Sequence, residues 1–328
     1  MKIIIDGFGG DNAPLEILRG VSMAKEYGES LAVTGDVAAM EECARENGID
    51  IKGIELIPAA SVMDMHDDAK LVLKQKADSS MGVGLKAVAD GAADAFVSAG
   101  STAALFMGAT MIVKRLKGIK RPALGTVIPH VDGYFFLIDC GANVECRPEM
   151  LEQFGVMGSI YMKRVLNIEN PRVGLANNGA EDSKGTELQI EAYKLLKANK
   201  SINFIGNVEG RDIPLGACEV VVADGFSGNL ILKTIEGFGI AIFKKLKDVF
   251  YSSTATKLAA AALKPALKGF KDSMDYSKFG GAPIIGLTKP VIKAHGSSNA
   301  EAIKNSINQA ILWSRSGVTE AIEAAVKE

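Results

Sequence analysis

Residues 94–111 read DAFVSAGSTAALFMGATM and contain, in order, the sequence signatures of a strand, a glycine turn and a helix. Residues 94–98 alternate small and apolar side chains with residues that favour β-structure, which predicts a short buried strand. A turn follows, Ala99-Gly100-Ser101-Thr102, whose hydroxyl groups stand where a helix N-cap belongs. Residues 103–113 are apolar on every face, as in a helix buried inside a larger protein.

This arrangement predicts an anion pocket, because unpaired N–H groups and the helix dipole both favour negative charge at a helix N-terminus. One such loop on its own is usually only a tight turn. The chain repeats the pattern, however, in IIIDGFGGDN, FVSAGST, FLIDCGANVE, VGLANNGAEDSKG and VVVADGFSGN. In a parallel sheet these loops project from the same edge, at the carboxyl ends of the strands. Five of them predict a shared anion-binding cleft.

The residues that we expect to bind phosphate or substrate in this cleft belong to the repeated loops. They are Asp6, Gly100, Ser101, Thr102, Asn143, Asp224, Gly225, Ser227, Gly228 and Asn229. The first loop does not fit the dinucleotide fingerprint G-x-G-x-x-G, because Asn12 stands where the third glycine belongs. The alternation of strands and helices predicts an α/β fold with a largely parallel, doubly wound sheet.

Length and composition narrow the class of protein. The chain of 328 residues is long enough for one large α/β domain or two lobes, and we expect a single catalytic domain over residues 1–328. Its net charge of −2 argues against a nucleic-acid partner. The N-terminus, MKIIIDGFGG, lacks a signal peptide. No segment approaches the roughly twenty uncharged apolar residues that span a bilayer, so we expect a cytoplasmic protein.

The cysteines and histidines do not have the spacing of metal ligands, so no metal site is predicted. The four cysteines form no CxxC pair, and the three histidines are far apart in the chain. Cys140 and Cys146 flank one of the polar loops, which leaves a catalytic thiol as an alternative. His295, beside a glycine and two serines, is the histidine that most resembles a site residue.

Residues 236–271 differ from the rest of the chain, because they hold seven lysines and, after Glu236, a single acid. Two apolar helical stripes run through them, one formed by Phe243, Leu246, Val249 and Phe250 and one by Leu258, Leu263, Leu267 and Phe270. The pattern predicts an amphipathic helical hairpin over residues 236–275. We expect it to project and to contact a membrane or an acidic partner through Lys257, Leu258, Leu263, Lys264 and Leu267. The alternative is a core-packed helix pair with a solvated lysine face.

Nine segments of the chain match one known family. They are DGFGGDNAP, KADSSM, SAGSTAA, DCGANVECRPEML, GLANNGAEDSKG, GNVEG, DGFSGNLILKTIEG, YSKFGGAPIIGL and IKAHGSS, in this order. Together they resemble the bacterial phosphate acyltransferases of phospholipid synthesis (the PlsX family), over essentially the whole chain. The chain departs from the usual family residues at Gly7-Phe8, Ser101, Ala103, Asn178 and Ala180.

The resemblance implies reversible transfer of a fatty acyl chain from acyl carrier protein to inorganic phosphate. It also implies a fold related to phosphotransacetylases and isopropylmalate dehydrogenases, a homodimer, and a membrane-bound acyltransferase downstream; no cofactor is expected. Phosphate is itself the nucleophile, so the reaction needs an oriented phosphate, a stabilised oxyanion and a proton for the leaving thiolate. Lys184 and His295 are the candidate catalytic residues that could supply charge or a proton.

Two other interpretations remain open at this stage. The related fold suggests an NAD-dependent dehydrogenase of the isopropylmalate type, although the Gly7 loop lacks the cofactor fingerprint. The hairpin suggests a membrane-recruited scaffold without enzymatic activity, in which case the polar glycine loops would have no role.

Overall fold

The computed structural model describes residues 1–273 and 279–327, and it confirms the largely parallel α/β architecture. The strands are β1 (Lys2–Asp6), β2 (Ser30–Gly35), β3 (Glu55–Pro58), β4 (Ala95–Ser98), β5 (Ala123–His130), β6 (Gly133–Ile138), β7 (Arg172–Asn177), β8 (Asn203–Glu209), β9 (Val220–Val222), β10 (Ala282–Ile285) and β11 (Val291–Lys293). The helices are α1 (Leu15–Ala24), α2 (Val37–Asn47), α3 (Ser80–Ala89), α4 (Thr102–Gly108), α5 (Pro148–Val165), α6 (Glu187–Ala198), α7 (Gly225–Phe250), α8 (Thr254–Ser273), α9 (Ala300–Ser316) and α10 (Val318–Lys327). A π-helical segment, Ala109–Lys114, continues α4.

One sheet runs through the molecule in the order β3-β2-β1-β4-β11-β10-β5-β6-β9-β7-β8. Its two outer parts are parallel, but the pairs β11–β10, β10–β5 and β5–β6 are antiparallel. Three successive reversals make β6, β7, β8 and β9 run opposite to β1, β2, β3, β4 and β11. The expectation that all five polar loops project from the same edge is therefore wrong.

The inner strands, such as β1, β4 and β9, are buried on both faces, which explains their continuous apolar runs. Ile3 and Ile5 of β1 belong to one hydrophobic cluster, whereas Ile4 belongs to the cluster on the other face. In β4, Val97 belongs to the same cluster as Ile3, and Phe96 belongs to the same cluster as Ile4. The period of two along each strand thus places an apolar layer on each side of the sheet. The expectation of one catalytic domain over residues 1–328 stays a prediction.

Helices α7 and α8 form the expected hairpin, and they enclose a groove of about 600 Å³. The first predicted stripe lies largely in this groove, through Phe243, Leu246 and Phe250, but Val249 is exposed. The groove wall contributed by α8 includes Lys257, Ala260, Ala261, Lys264 and Leu267.

The second predicted stripe is wrong in part, because Leu258 and Leu263 lie outside the groove wall and are 70% and 49% exposed. They are five residues apart, which is about 1.4 turns at 3.6 residues per turn, so they point in different directions. The side chain of Phe270 and residues 274–275 of the predicted hairpin lie outside the described part of the chain.

Among the described residues, α7 is the one helix long and apolar enough to cross a membrane by length and composition. The sequence did not suggest a membrane-spanning length here, because lysines interrupt the apolar residues. The first turn of α7 is packed inside the protein, where Gly225 and Gly228 are buried.

Gly228 fixes how α7 packs on the loop after β6, because a Cβ at this position would lie 1.9 Å from the carbonyl oxygen of Asp139. We expect Gly228→Ala to lower the free energy of unfolding by about 1–3 kcal/mol, because the added methyl group overpacks the contact. Gly237→Ala is the matched control in the same helix, because nothing lies within 4 Å of a Cβ there. The control should gain roughly 0.5–1 kcal/mol from helix propensity. Denaturant unfolding measures both values, and equal effects would contradict the proposed contact.

Candidate active site

A cavity of about 460 Å³ lies where loops from both halves of the sheet meet. Its wall contains Thr102 at the start of α4, Cys140 after β6, Asn229 in α7, and Lys293 and His295 from the end of β11. The groove in the hairpin is larger, but apolar side chains and lysines line it. The central cavity is the candidate active site, because polar and titratable groups from several elements converge there.

Asp6, at the end of β1, organises one side of the site from a buried position. The Ser98 hydroxyl donates to Asp6 Oδ2 at 2.7 Å, and the Gly100 N–H donates to Ser98 Oγ at 3.0 Å. Burial raises the pKa of Asp6, while hydrogen bonds, including that from Ser98, act in the opposite direction. A Cβ on Gly9 would lie 2.6 Å from Asp6 Oδ2, so only glycine fits beside this carboxyl group. Asp6 and Gly100 thus support the loop instead of lining the cavity.

Ser101 and Thr102 follow in the same loop and occupy different environments. Ser101 is buried at the N-cap position of α4, but its side chain makes no capping hydrogen bond. Thr102 is exposed and forms part of the cavity wall. The loop therefore presents one hydroxyl group, that of Thr102, to the cavity.

Asp139, which directly follows β6, is the centre of the opposing loop and is fully buried. Its Oδ1 accepts hydrogen bonds from the N–H groups of Leu124, Gly141 and Ala142 at 3.1–3.3 Å. Its Oδ2 accepts from the backbone and side-chain nitrogens of Asn143 at 2.6 and 2.8 Å. Burial raises the pKa of Asp139, against the lowering effect of these hydrogen bonds. The loop amides therefore point at Asp139, and the Asn143 amide supports the loop.

The start of α7 is fixed in a similar way. Asp224 caps the helix by accepting hydrogen bonds from the Ser227 N–H at 2.9 Å and the Ser227 hydroxyl at 2.8 Å. The Gly225 N–H donates to the Asn143 carbonyl at 2.7 Å, and the Gly228 N–H donates to the Asp224 carbonyl at 2.8 Å. Of the predicted site residues at this helix start, Asn229 is the one in the cavity wall, where Leu232, Lys233 and Glu236 of α7 also lie. Anion binding by the capping residues stays a prediction, and the N–H groups named here already have protein partners.

Lys293, at the end of β11, is a lysine buried in the cavity wall, with 8% of its surface exposed. Its ammonium group donates to the carbonyl oxygen of Ala99 at 3.2 Å and to that of Ala294. Burial lowers the pKa of Lys293 to about 8, although the nearby carboxylates of Asp6 and Asp11 act in the opposite direction. A buried amine with a perturbed pKa in a cleft is a strong indicator of a functional site.

His295 lies two residues beyond Lys293 and is exposed in the cavity wall. The backbone N–H of Ser297 donates to His295 Nδ1 at 3.2 Å, and Ser297 Oγ lies 2.8 Å from the same atom. Because Nδ1 accepts the amide proton, the neutral imidazole carries its own proton on Nε2. His295 is thus arranged to offer a proton from Nε2.

Lys184 is not brought to the cavity. It is exposed in the loop after β7, where its carbonyl oxygen accepts a hydrogen bond from Asn177 Nδ2 at 3.0 Å. It does not belong to the cavity wall that contains His295. A catalytic role for Lys184 stays a prediction.

Sequence reasoning missed two buried charged groups, Lys293 and Asp139. A lysine inside the apolar run PVIKAH carries a signal that could have identified it, because lysine is rarely buried without a partner. Asp139 stands at the end of the apolar run FFLID, just as Asp6 stands at the end of IIID. This shared position is a signal that could have identified Asp139 as well.

The cysteines near the site are poorly suited to act as nucleophiles. Cys140 is buried, and burial together with the adjacent Asp139 holds the pKa of its thiol well above the usual range. Burial likewise raises the pKa of Cys146 to about 12. Because the thiolate is the reactive form, these surroundings argue against the alternative of a catalytic thiol.

The fold is that of the phosphotransacetylases. A phosphotransacetylase from Streptococcus pyogenes superposes with a TM-score of 0.65 at 18% identity, covering 100% of this chain and 94% of that one. A branched-chain phosphotransacylase from Enterococcus faecalis gives a TM-score of 0.61 at 15% identity, covering 96% of this chain and 100% of that one. The predicted relation to the phosphotransacetylase fold is confirmed.

Sequence comparison identifies the family. Residues 1–321 match the family model described as fatty acid synthesis protein. The chain is 46% identical to a phosphate acyltransferase of Alkaliphilus oremlandii, over 99% of this chain and 97% of the relative. It is 47% identical to a phosphate acyltransferase of Geobacillus thermodenitrificans, over 94% of each.

The fold and these relatives define the protein as an acyltransferase. The chain belongs to the fatty acid synthesis protein family, as the sequence motifs indicated. The interpretations as an NAD-dependent dehydrogenase and as a scaffold without activity therefore have no support.

The environment of Cys140 generates a direct prediction about its reactivity. Because the pKa of this thiol is raised by burial, iodoacetamide should not modify Cys140 in the folded protein near neutral pH. Mass spectrometry of the native protein should find an unmodified Cys140, whereas the denatured protein, as the control, should be labelled there. If iodoacetamide labels Cys140 in the native protein and this labelling abolishes turnover, the alternative of a catalytic thiol is supported again.

Proposed function

We propose that the protein reversibly transfers a fatty acyl group from acyl carrier protein to inorganic phosphate, forming acyl phosphate for phospholipid synthesis. The relatives are named phosphate acyltransferase and the family is described by fatty acid synthesis, which supports phosphate and an acyl group as substrates. The observation that carries the proposal is a cavity in which Thr102, Asn229 and His295 meet beside a thiol whose pKa is raised. Such a site fits direct transfer to phosphate, because phosphate is itself the nucleophile.

In the proposed reaction, a phosphate oxygen attacks the thioester carbonyl carbon and a new carbon–oxygen bond forms. The carbonyl oxygen becomes negatively charged, and hydrogen-bond donors of the cavity, such as Thr102 and Asn229, stabilise it. The carbon–sulfur bond then breaks, and the sulfur leaves as a thiolate. The Nε2 N–H of His295 donates a hydrogen bond to this thiolate, while Ser297 holds the imidazole ring through Nδ1. The proton that hydrogen phosphate loses when it becomes acyl phosphate completes the thiol.

The role of His295 predicts a specific kinetic defect. We expect His295→Ala to lower kcat by roughly 10²-fold, because the hydrogen bond to the leaving thiolate is lost. The KM for phosphate should change little. Acyl donors with a more acidic thiol should reduce the defect, because their leaving group needs less stabilisation.

The matched control is His130→Asn, because His130 lies in β5 and outside the cavity wall. Its turnover should equal that of the wild type. An His295→Ala defect that is the same for all leaving groups would contradict a role in thiolate release.

The reaction itself is tested with purified protein, acyl carrier protein loaded with a fatty acyl group, and phosphate. With radiolabelled inorganic phosphate, the label should appear in an acyl phosphate that hydroxylamine cleaves, and omission of the acyl donor should abolish this labelled product. If the thioester is consumed only with glycerol phosphate as acceptor, the proposal of phosphate as acceptor is wrong.

We further propose that the α7–α8 hairpin contacts acyl carrier protein, anionic lipid or the downstream membrane acyltransferase. Exposed lysines, including Lys244, Lys257 and Lys264, suit an acidic surface. Leu258 and Leu263 are exposed among them and suit insertion into lipid. A cytoplasmic location with peripheral membrane contact agrees with this arrangement.

A homodimer is part of the same proposal. Phe238 and Ile242 of α7 lie four residues apart on the same helix face and are 66% and 40% exposed, and apolar side chains of this size are usually covered by a partner when they lie together. Sedimentation velocity of the purified protein should give the mass of two chains.

Substitutions at exposed leucines test the membrane contact. We expect Leu258→Glu to weaken binding to anionic liposomes, because a charge resists insertion, and to leave soluble acyl phosphate synthesis intact. Leu195→Glu in α6 is the control, because Leu195 is also exposed but lies outside the hairpin. The liposome binding that Leu258→Glu retains should fall with added salt, since exposed charges are screened over about 8 Å at physiological ionic strength. Equal liposome binding by both variants and the wild type would exclude Leu258 from the contact.

A further inference from the structure

The ammonium group of Lys293 has one hydrogen-bond donor that the described residues do not use. An ammonium group carries three N–H donors. Two of them reach the carbonyl oxygens of Ala99 and Ala294, and the described part of the chain shows no partner for the third. Because Lys293 belongs to the cavity wall, the remaining donor is available to a molecule bound in the cavity.

The position of Lys293 is unusually well defined for a lysine. The bond to the Ala99 carbonyl joins the end of β11 to the loop after β4, directly before Gly100, and the bond to the Ala294 carbonyl stays at the end of β11. Lysine side chains at a surface lose rotamer entropy when they bind a ligand. Lys293 has already lost this freedom in the folded protein, so binding to it has a smaller entropic cost.

The contacts that the described residues make with the Lys293 ammonium are to two carbonyl oxygens, and none of them is an ion pair with a carboxylate. Asp6 from β1 and Asp11 from the following loop face it, but Asp6 is a buried carboxyl whose pKa is raised. From α7, Lys233 also faces it, and Lys233 forms an ion pair with Glu236 at 2.7 Å. His295 adjoins it in the same wall. A buried charge that is incompletely paired is stabilised by an ion of opposite sign.

We propose that Lys293 is a catalytic residue whose free N–H donor binds an oxygen of the phosphate acceptor. This inference rests on the proposed function. Phosphate is charged before the reaction begins, so it compensates the buried ammonium in the ground state, whereas the thioester oxygen becomes charged only in the transition state. Lys293 keeps its proton throughout: the phosphate oxygen forms the bond to carbon, and the electron pair of the broken bond leaves with sulfur.

Kinetics of two substitutions test the contact. Lys293→Met removes the charge and keeps an unbranched side chain, and it should raise the KM for phosphate roughly ten- to a hundredfold. The KM for the acyl donor should stay unchanged, which a general structural defect would not produce. Lys293→Arg should recover part of the phosphate affinity. Lys289→Met is the matched control, because Lys289 precedes β11 at the end of the strand away from the cavity.

Sulfate provides a test that does not need turnover, because it remains a dianion over the whole pH range of interest. Calorimetry should show that the wild-type protein binds sulfate less well as the pH rises through about 8, where Lys293 loses its proton. This decrease should be absent in Lys293→Met and should persist in Lys289→Met. The wild-type measurement stands even if Lys293→Met does not fold.

Two results would overturn the inference: sulfate affinity that is constant through that pH range in the wild type, or an unchanged KM for phosphate in a folded Lys293→Met. Either can occur while the wild type still makes acyl phosphate, so they refute the role of Lys293 alone. Failure of the wild type to make acyl phosphate would refute the proposed function, and sulfate binding would still report on Lys293.

Discussion

The antiparallel strands in the middle of the sheet determine where the functional loops meet. Because β10 and β5 reverse the strand direction, the carboxyl ends of β1, β4 and β11 point opposite to those of β6 and β9. A fully parallel sheet would place all these ends along one edge, in a shallow row. Here two sets of loops face each other across β10, and the cavity forms between them. The site therefore depends on a short interruption of the parallel pattern.

Buried carboxylates hold the two sets of loops in place. Asp6 and Asp139 each follow a buried strand and accept hydrogen bonds from neighbouring backbone or hydroxyl groups. A buried carboxylate is costly unless such partners surround it, so each loop has essentially one arrangement that satisfies its acid. Hydrogen bonds to these buried acids thus fix the conformations of the loops. The side chains of Thr102, Asn229, Lys293 and His295 are then free to line the cavity.

The sequence was sufficient to predict the fold class and the succession of strand, polar loop and helix, because each depends on a local pattern. It was insufficient where the outcome depends on distant contacts. Gly225 and Gly228 look like anion-binding glycines, yet close packing against Asn143 and Asp139 explains them. Lys184 and His295 both follow strands, but only the sheet order shows that one lies in the cavity wall and the other does not. Lys293 was missed because one lysine in a strand becomes informative only when its burial is known.

Helix α7 connects the chemistry to the hairpin within one continuous element. Asn229, in its first turns, lies in the cavity wall, and Phe243 begins the groove against α8. Fourteen residues separate them, which is about 21 Å at 1.5 Å per residue. Because the packing of Gly228 on Asp139 fixes the first turn, the helix extends from the cavity in a defined direction. Any surface that the hairpin contacts is therefore held at a set distance from the candidate active site. An apolar product released at the cavity would have the exposed apolar residues of α7 beside it along the way to that surface.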